Sequence, residues 1–376
     1  MKLKRILILI PSLKGGGAER VLINLLNSLD LEIYEIDLFI GVKGGVLEKE
    51  IPSKVNINFI FPNEKIEKLT YLTFVKTGSY YFFKYFGKKI NKKYNVGISF
   101  LDSFYTEFLF HNNASINKKA AVIHSSYKSY KIKSKNINNK NILRYKKRYK
   151  KLDVIISVAN EALDEFKSIF GEYKDMRVIY NPLNVKDILK KSNLDEDIDI
   201  ETDKINLIAI GSHFPVKGYD KLIKSCAILN IKNINYRLNI LGNGYLKDKH
   251  QRLINDLNLT DNIVLRDFVP NPYIWLKKSD IFIMTSEAEG LPTALCEAIV
   301  LHKPVMVTNV AGCREVIDKG KYGMMVENNT EAIAKGLEDF LLSHDKRLVY
   351  RMKSKERSKI FMDEVVINKY LELFNS

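Results

Sequence analysis

The chain has 376 residues, 46% of them hydrophobic and 11% aromatic, with a formal net charge of +16. That length suits two domains, each with a sizeable apolar core. Cys226, Cys296 and Cys313 show no metal-ligand spacing and form no disulfide framework, which fits a reducing cytoplasm. No apolar run reaches the roughly 18 residues of a membrane span. HExxH, GxSxG, GxxxxGK[ST] and Cys/His clusters are absent from the sequence, so metalloprotease, serine-hydrolase, P-loop and zinc-site readings lose their usual support.

Met1–Ile10 imitates a signal peptide, but its apolar run is short and ends at Pro11, so it reads as a first buried strand, Arg5–Ile10. The strand leads through Gly15, Gly16 and Gly17 into a helix near Ala18–Leu29. Glycines at such a turn let a backbone approach phosphate closely. The dinucleotide fingerprint is not met, because Arg20 stands where its third glycine belongs. Further strands are expected at Ile36–Ile40, Val96–Phe100, Ala120–His124 and Val154–Val158. His124, at the carboxyl end of its strand, is placed to donate to a substrate or relay a proton.

Between these strands lie two basic stretches. In Tyr80–Tyr94, helical spacing sets Phe82, Phe86 and Ile90 on one face and Lys84, Lys88 and Lys92 on the other, the pattern of a helix lying in a membrane interface with its aromatic side down. From Ser125 to Lys151 there are eleven Lys or Arg, Arg144, Lys147 and Arg148 among them, and no acid. Such a field attracts phosphates of lipid or nucleic acid.

A hydrophilic stretch, Asn184 to Lys204, reads as a solvated linker. The second half then restarts with the strand Ile205–Ile210, the turn Gly211–Gly218, a helix near Tyr219–Leu229 and the strand Tyr236–Leu241. Strands Ile263–Leu265, Ile281–Thr285 and Val305–Thr308 follow. This alternation predicts parallel sheets covered by helices, with ligands at the carboxyl ends of the strands. Lys217 is placed to present an ammonium to a diphosphate, with His213 a weaker candidate for that task. After Ile281–Thr285 comes Glu289-Gly-Leu-Pro-Thr-Ala-Leu-Cys-Glu297, a turn opening a helix over Thr293–Leu301. The helix start offers N–H groups to phosphate, and Glu297 lies one turn, about 5.4 Å, further in on the face of Thr293, which matches the reach from a diphosphate to a nucleotide's ribose. Glu289 lies before the helix, where it can meet what the diphosphate carries.

Taken together, GGGAERV at Gly15–Val21, VIHS at Val122–Ser125, SVANEAL at Ser157–Leu163, VIYNP at Val178–Pro182, VKGYDKLI at Val216–Ile223, LGNG at Leu241–Gly244, EGLPTALCEA at Glu289–Ala298 and GCREVI at Gly312–Ile317 resemble the family 4 glycosyltransferases over nearly the whole chain. The resemblance implies the α/β GT-B fold, two Rossmann-like parallel-sheet domains facing each other across a cleft. The division expected is residues 1–184 for the acceptor side and 185–360 for the nucleotide sugar, with 361–376 returning to the first domain. It also implies retaining transfer of a hexosyl or N-acetylhexosaminyl group from a nucleoside diphosphate sugar, UDP-linked by expectation, with no metal or other cofactor required. On this match Glu289 holds sugar hydroxyls at the reacting centre, Glu297 holds the ribose and Lys217 stabilises the leaving diphosphate. Gly16, Gly17 and the amides of Gly290, Leu291, Pro292 and Thr293 line the phosphate and sugar pocket; of these Pro292 has no N–H to give. His124 sits over the donor sugar, and Phe268 lies where the family's main chain meets the base. Ser212 and His213 replace an arginine common in relatives, and Asp267 replaces a glycine, which leaves uridine or guanosine open. Family members of this size extend lipid-linked oligosaccharides. The expected partners are therefore a polyprenyl-diphosphate-linked glycan and an anionic membrane surface, with the enzyme cytoplasmic and peripheral on the inner face of the cell membrane. A lipopolysaccharide-core or capsule transferase is the alternative within the class. A basic RNA-binding protein is the alternative outside it, but no RRM or KH signature supports nucleic acid as a partner.

Overall fold

The computed structural model describes residues 3–87, 90–124, 139–230 and 234–376. Lys88 and Ser125–Asn138, which carry part of the expected basic surface, lie outside the described residues. The chain divides into two compact units, residues 1–184 with 363–376, and residues 185–362.

In the first unit seven strands form one parallel sheet: β1 (Lys4–Ile10), β2 (Tyr34–Ile40), β3 (Asn56–Phe59), β4 (Lys93–Ser99), β5 (Ser115–Ile123), β6 (Val154–Ser157) and β7 (Met176–Val178). Their order is β3-β2-β1-β4-β5-β6-β7, so the chain direction across the sheet reverses between β1 and β4. Ile6 to Ile10 are fully buried, which is why β1 is continuously apolar rather than alternating. The helices are α1 (Gly17–Ser28), α2 (Glu64–Thr77), α3 (Tyr81–Gly87), α4 (Asn139–Tyr149) and α5 (Asn160–Phe170).

The second unit opens with α6 (Val185–Ser192) and continues β8 (Ile205–Ile210), α7 (Tyr219–Asn230), β9 (Tyr236–Leu241), α8 (Lys247–Asp256), β10 (Ile263–Arg266), α9 (Pro272–Lys278), β11 (Ile281–Met284), α10 (Thr293–Val300), β12 (Val305–Thr308), α11 (Ala311–Val316), β13 (Met324–Val326), α12 (Thr330–Leu342) and α13 (His344–Ser358). Its six strands are parallel in the order β10-β9-β8-β11-β12-β13, repeating the reversal between β8 and β11. The first part of the expected linker is thus a helix. Val185 and Ile188 are buried and α6 packs on α9, a spacing masked in the sequence by the lysines around it. The final helix, α14 (Asp363–Asn375), belongs to the first unit, where Phe374 meets Tyr34 edge-on at 5.5 Å and Tyr370 is fully buried.

The expected membrane helix is corrected here. α3 ends at Gly87, where a Cβ would lie 2.6 Å from the backbones of His111 and Asn112. Its aromatic side packs inward: Phe86 meets Phe61 at 5.5 Å, and Ile90 is buried in the same core. Phe82 is half-buried beside Tyr81, and Lys84 is exposed. Lys92 is not on the helix; its ammonium donates to the buried Asp37 at 2.9 Å, and both line a cavity of about 460 Å³. Asp37 also accepts from Tyr94 and Asn56, and these bonds hold its carboxyl below the usual range although burial pushes the other way.

Arg148 is likewise a core residue rather than a membrane or acceptor contact. It is 2% exposed and donates to Glu107 at 2.9 Å and Asp102 at 3.3 Å. Arg144 lies over the Phe74 ring at 4.8 Å, and Lys147 is exposed. Removing one partner of a buried pair strands the other, so Arg148→Met should lower stability by about 3–5 kcal/mol. Lys147→Met should change it by no more than about 0.5 kcal/mol. Urea unfolding followed by circular dichroism measures both; equal shifts would contradict the structural role of Arg148.

Candidate functional site

The second sheet reverses between β8 and β11, and the segments after these two strands meet there. Such a switch point is where ligands of open α/β sheets bind. Gly218, at φ +66°, makes the meeting possible: a Cβ there would lie 2.1 Å from the Thr285 carbonyl oxygen. The Thr285 hydroxyl donates to the Lys217 carbonyl at 3.1 Å, and the Glu287 N–H donates to Val216 at 2.7 Å. Lys221 pairs with Glu287 and also donates to Asn328, so the two segments are tied through side chains as well.

Held in this way, Lys217 donates to Glu289 Oε1 at 2.7 Å, and the Ser286 hydroxyl donates to the same oxygen at 2.7 Å. Both side chains of the ion pair are largely buried, at 20% and 14% exposure. The pair is therefore partly shielded from water, and Glu289 Oε2 carries no hydrogen bond to a described residue. Gly312 fixes the loop from the other side. Its N–H donates to the Glu289 carbonyl at 3.3 Å, and a Cβ there would stand 2.3 Å from the Gly290 oxygen.

Behind Glu289 the chain enters α10. Pro292 is the N-cap, one position before the first helical place expected of it, and no side chain caps the helix. The first-turn amides thus have no intrahelical acceptor and face the site with the positive end of the helix dipole. Leu291 and Pro292 are buried, so only main chain at those positions can meet a ligand. Thr293 and Glu297 are half-buried, and Tyr273 on α9 donates to Glu297 Oε1 at 3.3 Å. Phe268 follows β10 on the same edge of the sheet and is 69% exposed. Its neighbour Asp267 pairs with Lys247 at 2.5 Å.

Gly16 and Gly17 occupy the turn after β1, the first unit's counterpart of the turn after β8. The Glu19 carboxylate folds back onto the turn, accepting from Gly15 N–H at 2.6 Å, Gly16 N–H at 2.9 Å and Ser12 Oγ at 2.5 Å. The Gly16 amide is therefore not free for phosphate. The signal was in the sequence: a glutamate three residues after the N-cap is the returning half of a capping box. Gly17 remains open, with nothing within 4 Å of a Cβ built on it.

His124 lies just after β5 against Phe100, ring centres 5.2 Å apart. Its Nε2 is enclosed and has no partner among the described residues. Burial lowers its pKa from 6.5 to about 4, so at neutral pH the ring is an uncharged donor or acceptor. His213 is fully buried and turns away from phosphate duty, its Nδ1 lying 2.8 Å from His250 Nδ1. His250 Nε2 in turn lies 3.1 Å from Asp220. Among the described residues no cluster of three or more His, Cys, Asp or Glu is arranged to hold a metal, and no helix is long and apolar enough to cross a membrane.

Two all-parallel Rossmann-like units, the second with its side chains gathered at the switch point, are the architecture of GT-B enzymes. The family described as "Glycosyl transferases group 1" matches residues 190–357. The N-acetylgalactosamine-N,N'-diacetylbacillosaminyl-diphospho-undecaprenol 4-alpha-N-acetylgalactosaminyltransferase of Campylobacter jejuni is 30% identical, with 96% of each chain covered. Staphylococcus aureus TarM, solved with fondaparinux, alpha-GlcNAc-glycerol and UDP, superposes over the full length of both chains with TM-score 0.74 at 15% identity. Anabaena HepE, solved with UDP and glucose, gives 0.73 at 16% identity over 99% of each chain. The chain belongs to the group 1 glycosyl transferases and is a glycosyltransferase.

The buried histidine pair carries a pH dependence. Burial, with His250 beside it, lowers the His213 pKa from 6.5 to about 4. The unfolded chain therefore takes up the proton first. The stability is complete above pH 6.5 and is lost as pH falls towards 4. The urea midpoint of the wild type should fall across that window, and that of His213→Asn should fall less steeply. Parallel profiles would remove His213 from the account.

Proposed function

We propose that the enzyme transfers a hexosyl or N-acetylhexosaminyl group, with retention, from a nucleoside diphosphate sugar to a glycan carried on a polyprenyl diphosphate. It would act peripherally at the cytoplasmic face of the cell membrane. The observation that carries the donor half is the Lys217–Glu289 pair at 2.7 Å in front of the uncapped start of α10. A diphosphate at that helix start satisfies the free amides and draws Lys217 towards its own oxygens. Glu289, released from the lysine, then turns both oxygens to the sugar, accepting from its hydroxyls and stabilising positive charge at the anomeric carbon. Lys217 offsets the negative charge that develops on the departing diphosphate. Glu297 accepts from the ribose hydroxyls, with Tyr273 fixing its carboxylate. His124, neutral at physiological pH, is the hydrogen-bonding residue on the acceptor side. The donor is read as UDP-linked because UDP is bound in TarM and HepE. The acceptor class rests on the Campylobacter relative, whose name specifies a diphospho-undecaprenol substrate.

Steady-state kinetics with a panel of nucleotide sugars tests the assignment. Glu289→Gln should lower kcat strongly with the fold intact. Lys217→Ala should cost about 10²–10³-fold in kcat. Glu297→Ala should act mainly on the KM for donor. Turnover persists in EDTA on this reading. Near-normal kcat in Glu289→Gln would overturn the site, and loss of activity with EDTA restored by Mn²⁺ would overturn the metal-free scheme.

A further inference from the structure

The helix α2 is amphipathic in an unusual sense. Ile66, Thr70 and Phe74 face the first unit, with Thr70 and Phe74 buried. At about 100° per residue, Lys65, Lys68, Leu69, Leu72, Val75 and Lys76 fall within an arc of about 120° on the opposite side. That outward face should be polar if it met only water. Instead Leu69 is 48%, Leu72 42% and Val75 45% exposed. Single exposed apolar residues are ordinary, but a stripe on one helix face marks a contact surface.

The same pattern continues on α3. Phe83 is buried beneath it, while Tyr81 and Tyr85 stand 65% and 55% exposed, with Lys84 exposed between them. Both helices rest on Phe104, from Phe74 at 5.9 Å and from Phe83 at 5.0 Å, so their outward faces lie on one side of the unit. Arg144 of α4 stacks over Phe74 at 4.8 Å and brings a third helix alongside. There Leu143 is 60% exposed, and Lys147 and Lys150 are exposed.

Charge selects the occupant. None of Lys65, Lys68, Lys76 or Lys84 is paired with a carboxylate among the described residues. The two acids of α2 are turned aside: Glu64 pairs with Lys14 at 2.8 Å, and Glu67 accepts from Tyr105. The surface therefore offers aliphatic side chains and tyrosines ringed by free lysines. Leucines of that exposure reach the acyl boundary, tyrosines settle at headgroup level and lysines meet lipid phosphates.

We propose that the outward surface of α2 and α3, continued by α4, is the face on which this enzyme lies on an anionic lipid bilayer. It replaces the Phe82, Phe86 face that helical spacing alone suggested. The proposal deepens the reading of a lipid-carried acceptor and rests on it for its purpose, but not for its measurement.

Sedimentation with vesicles of phosphatidylcholine, alone or mixed with phosphatidylglycerol, tests it on the full chain. The wild type should bind the mixed vesicles, bind neutral ones far less, and release as salt rises. Lys65→Glu/Lys68→Glu/Lys76→Glu should weaken binding by about fivefold or more per lysine. Leu69→Glu/Leu72→Glu should weaken it at high salt too, where the apolar contribution remains. All five positions face outward, so thermal midpoints should stay at the wild-type value. Transfer to a short, water-soluble acceptor should also be unchanged. Failure of that transfer in the wild type counts against the functional reading and leaves the vesicle result standing. A wild type that ignores anionic vesicles, or variants that bind as the wild type does, overturns the proposal. So does a dimer that Leu69→Glu/Leu72→Glu dissolves in a chain that binds no vesicle, since the face would then belong to a second copy.

Discussion

The proposed donor site depends on two backbones meeting where side chains would keep them apart. Gly218 lies against the Thr285 carbonyl so closely that a Cβ would stand 2.1 Å from its oxygen. That contact aligns the turn after β8 with the end of β11, and it brings a lysine and a glutamate 72 positions apart into one ion pair. Gly242, at φ +145°, repeats the device against the Gly211 oxygen, also at 2.1 Å, and Gly312 closes the other flank of the Glu289 loop. These glycines work because a missing Cβ permits an approach no other residue allows. The charged groups are placed by the contacts, and their chemistry follows from the placement.

The two units show how one local pattern leads to opposite electrostatic results. Each has a strand, a glycine-bearing turn and a helix at its switch point. In the first, Glu19 returns to the amides of Gly15 and Gly16 and satisfies them internally. In the second, the helix start after Pro292 has no side-chain cap, and the carboxylate that precedes it, Glu289, is occupied by Lys217 and Ser286 instead. One helix start is therefore closed to anions and the other remains open. A carboxylate three positions after the N-cap accounts for the closure of the first.

The net charge of +16 divides in the same manner. Arg148 is consumed within the core by Asp102 and Glu107, while the exposed Lys92 reaches down to the buried Asp37. A pair buried on both sides, as at Arg148, loses much of its attraction to desolvation. The lysines on the outer faces of α2 and α3 have no such partner among the described residues and stand among exposed leucines and tyrosines.

Much of the fold was legible in the order of residues. The apolar runs at Ile6–Ile10 and Ile281–Met284 announce buried parallel strands, and Glu289-Gly-Leu-Pro announces a turn into a helix, because these depend on neighbours in the chain. The motif set also sufficed to identify the family. Spacing could not say which side of α3 faces the core, since Phe82, Phe83 and Phe86 are equally apolar; only the partners Phe61, Phe104 and Phe108 decide that Phe83 and Phe86 turn inward. Nor could it say that Arg148 belongs to Asp102, 46 positions away, or Lys92 to Asp37, 55 away. Periodicity and turn chemistry are short-range properties that the sequence carries by itself. The pairing of charges and the choice of a helix's inner face are settled by contacts between distant segments, and those exist only once the chain has packed.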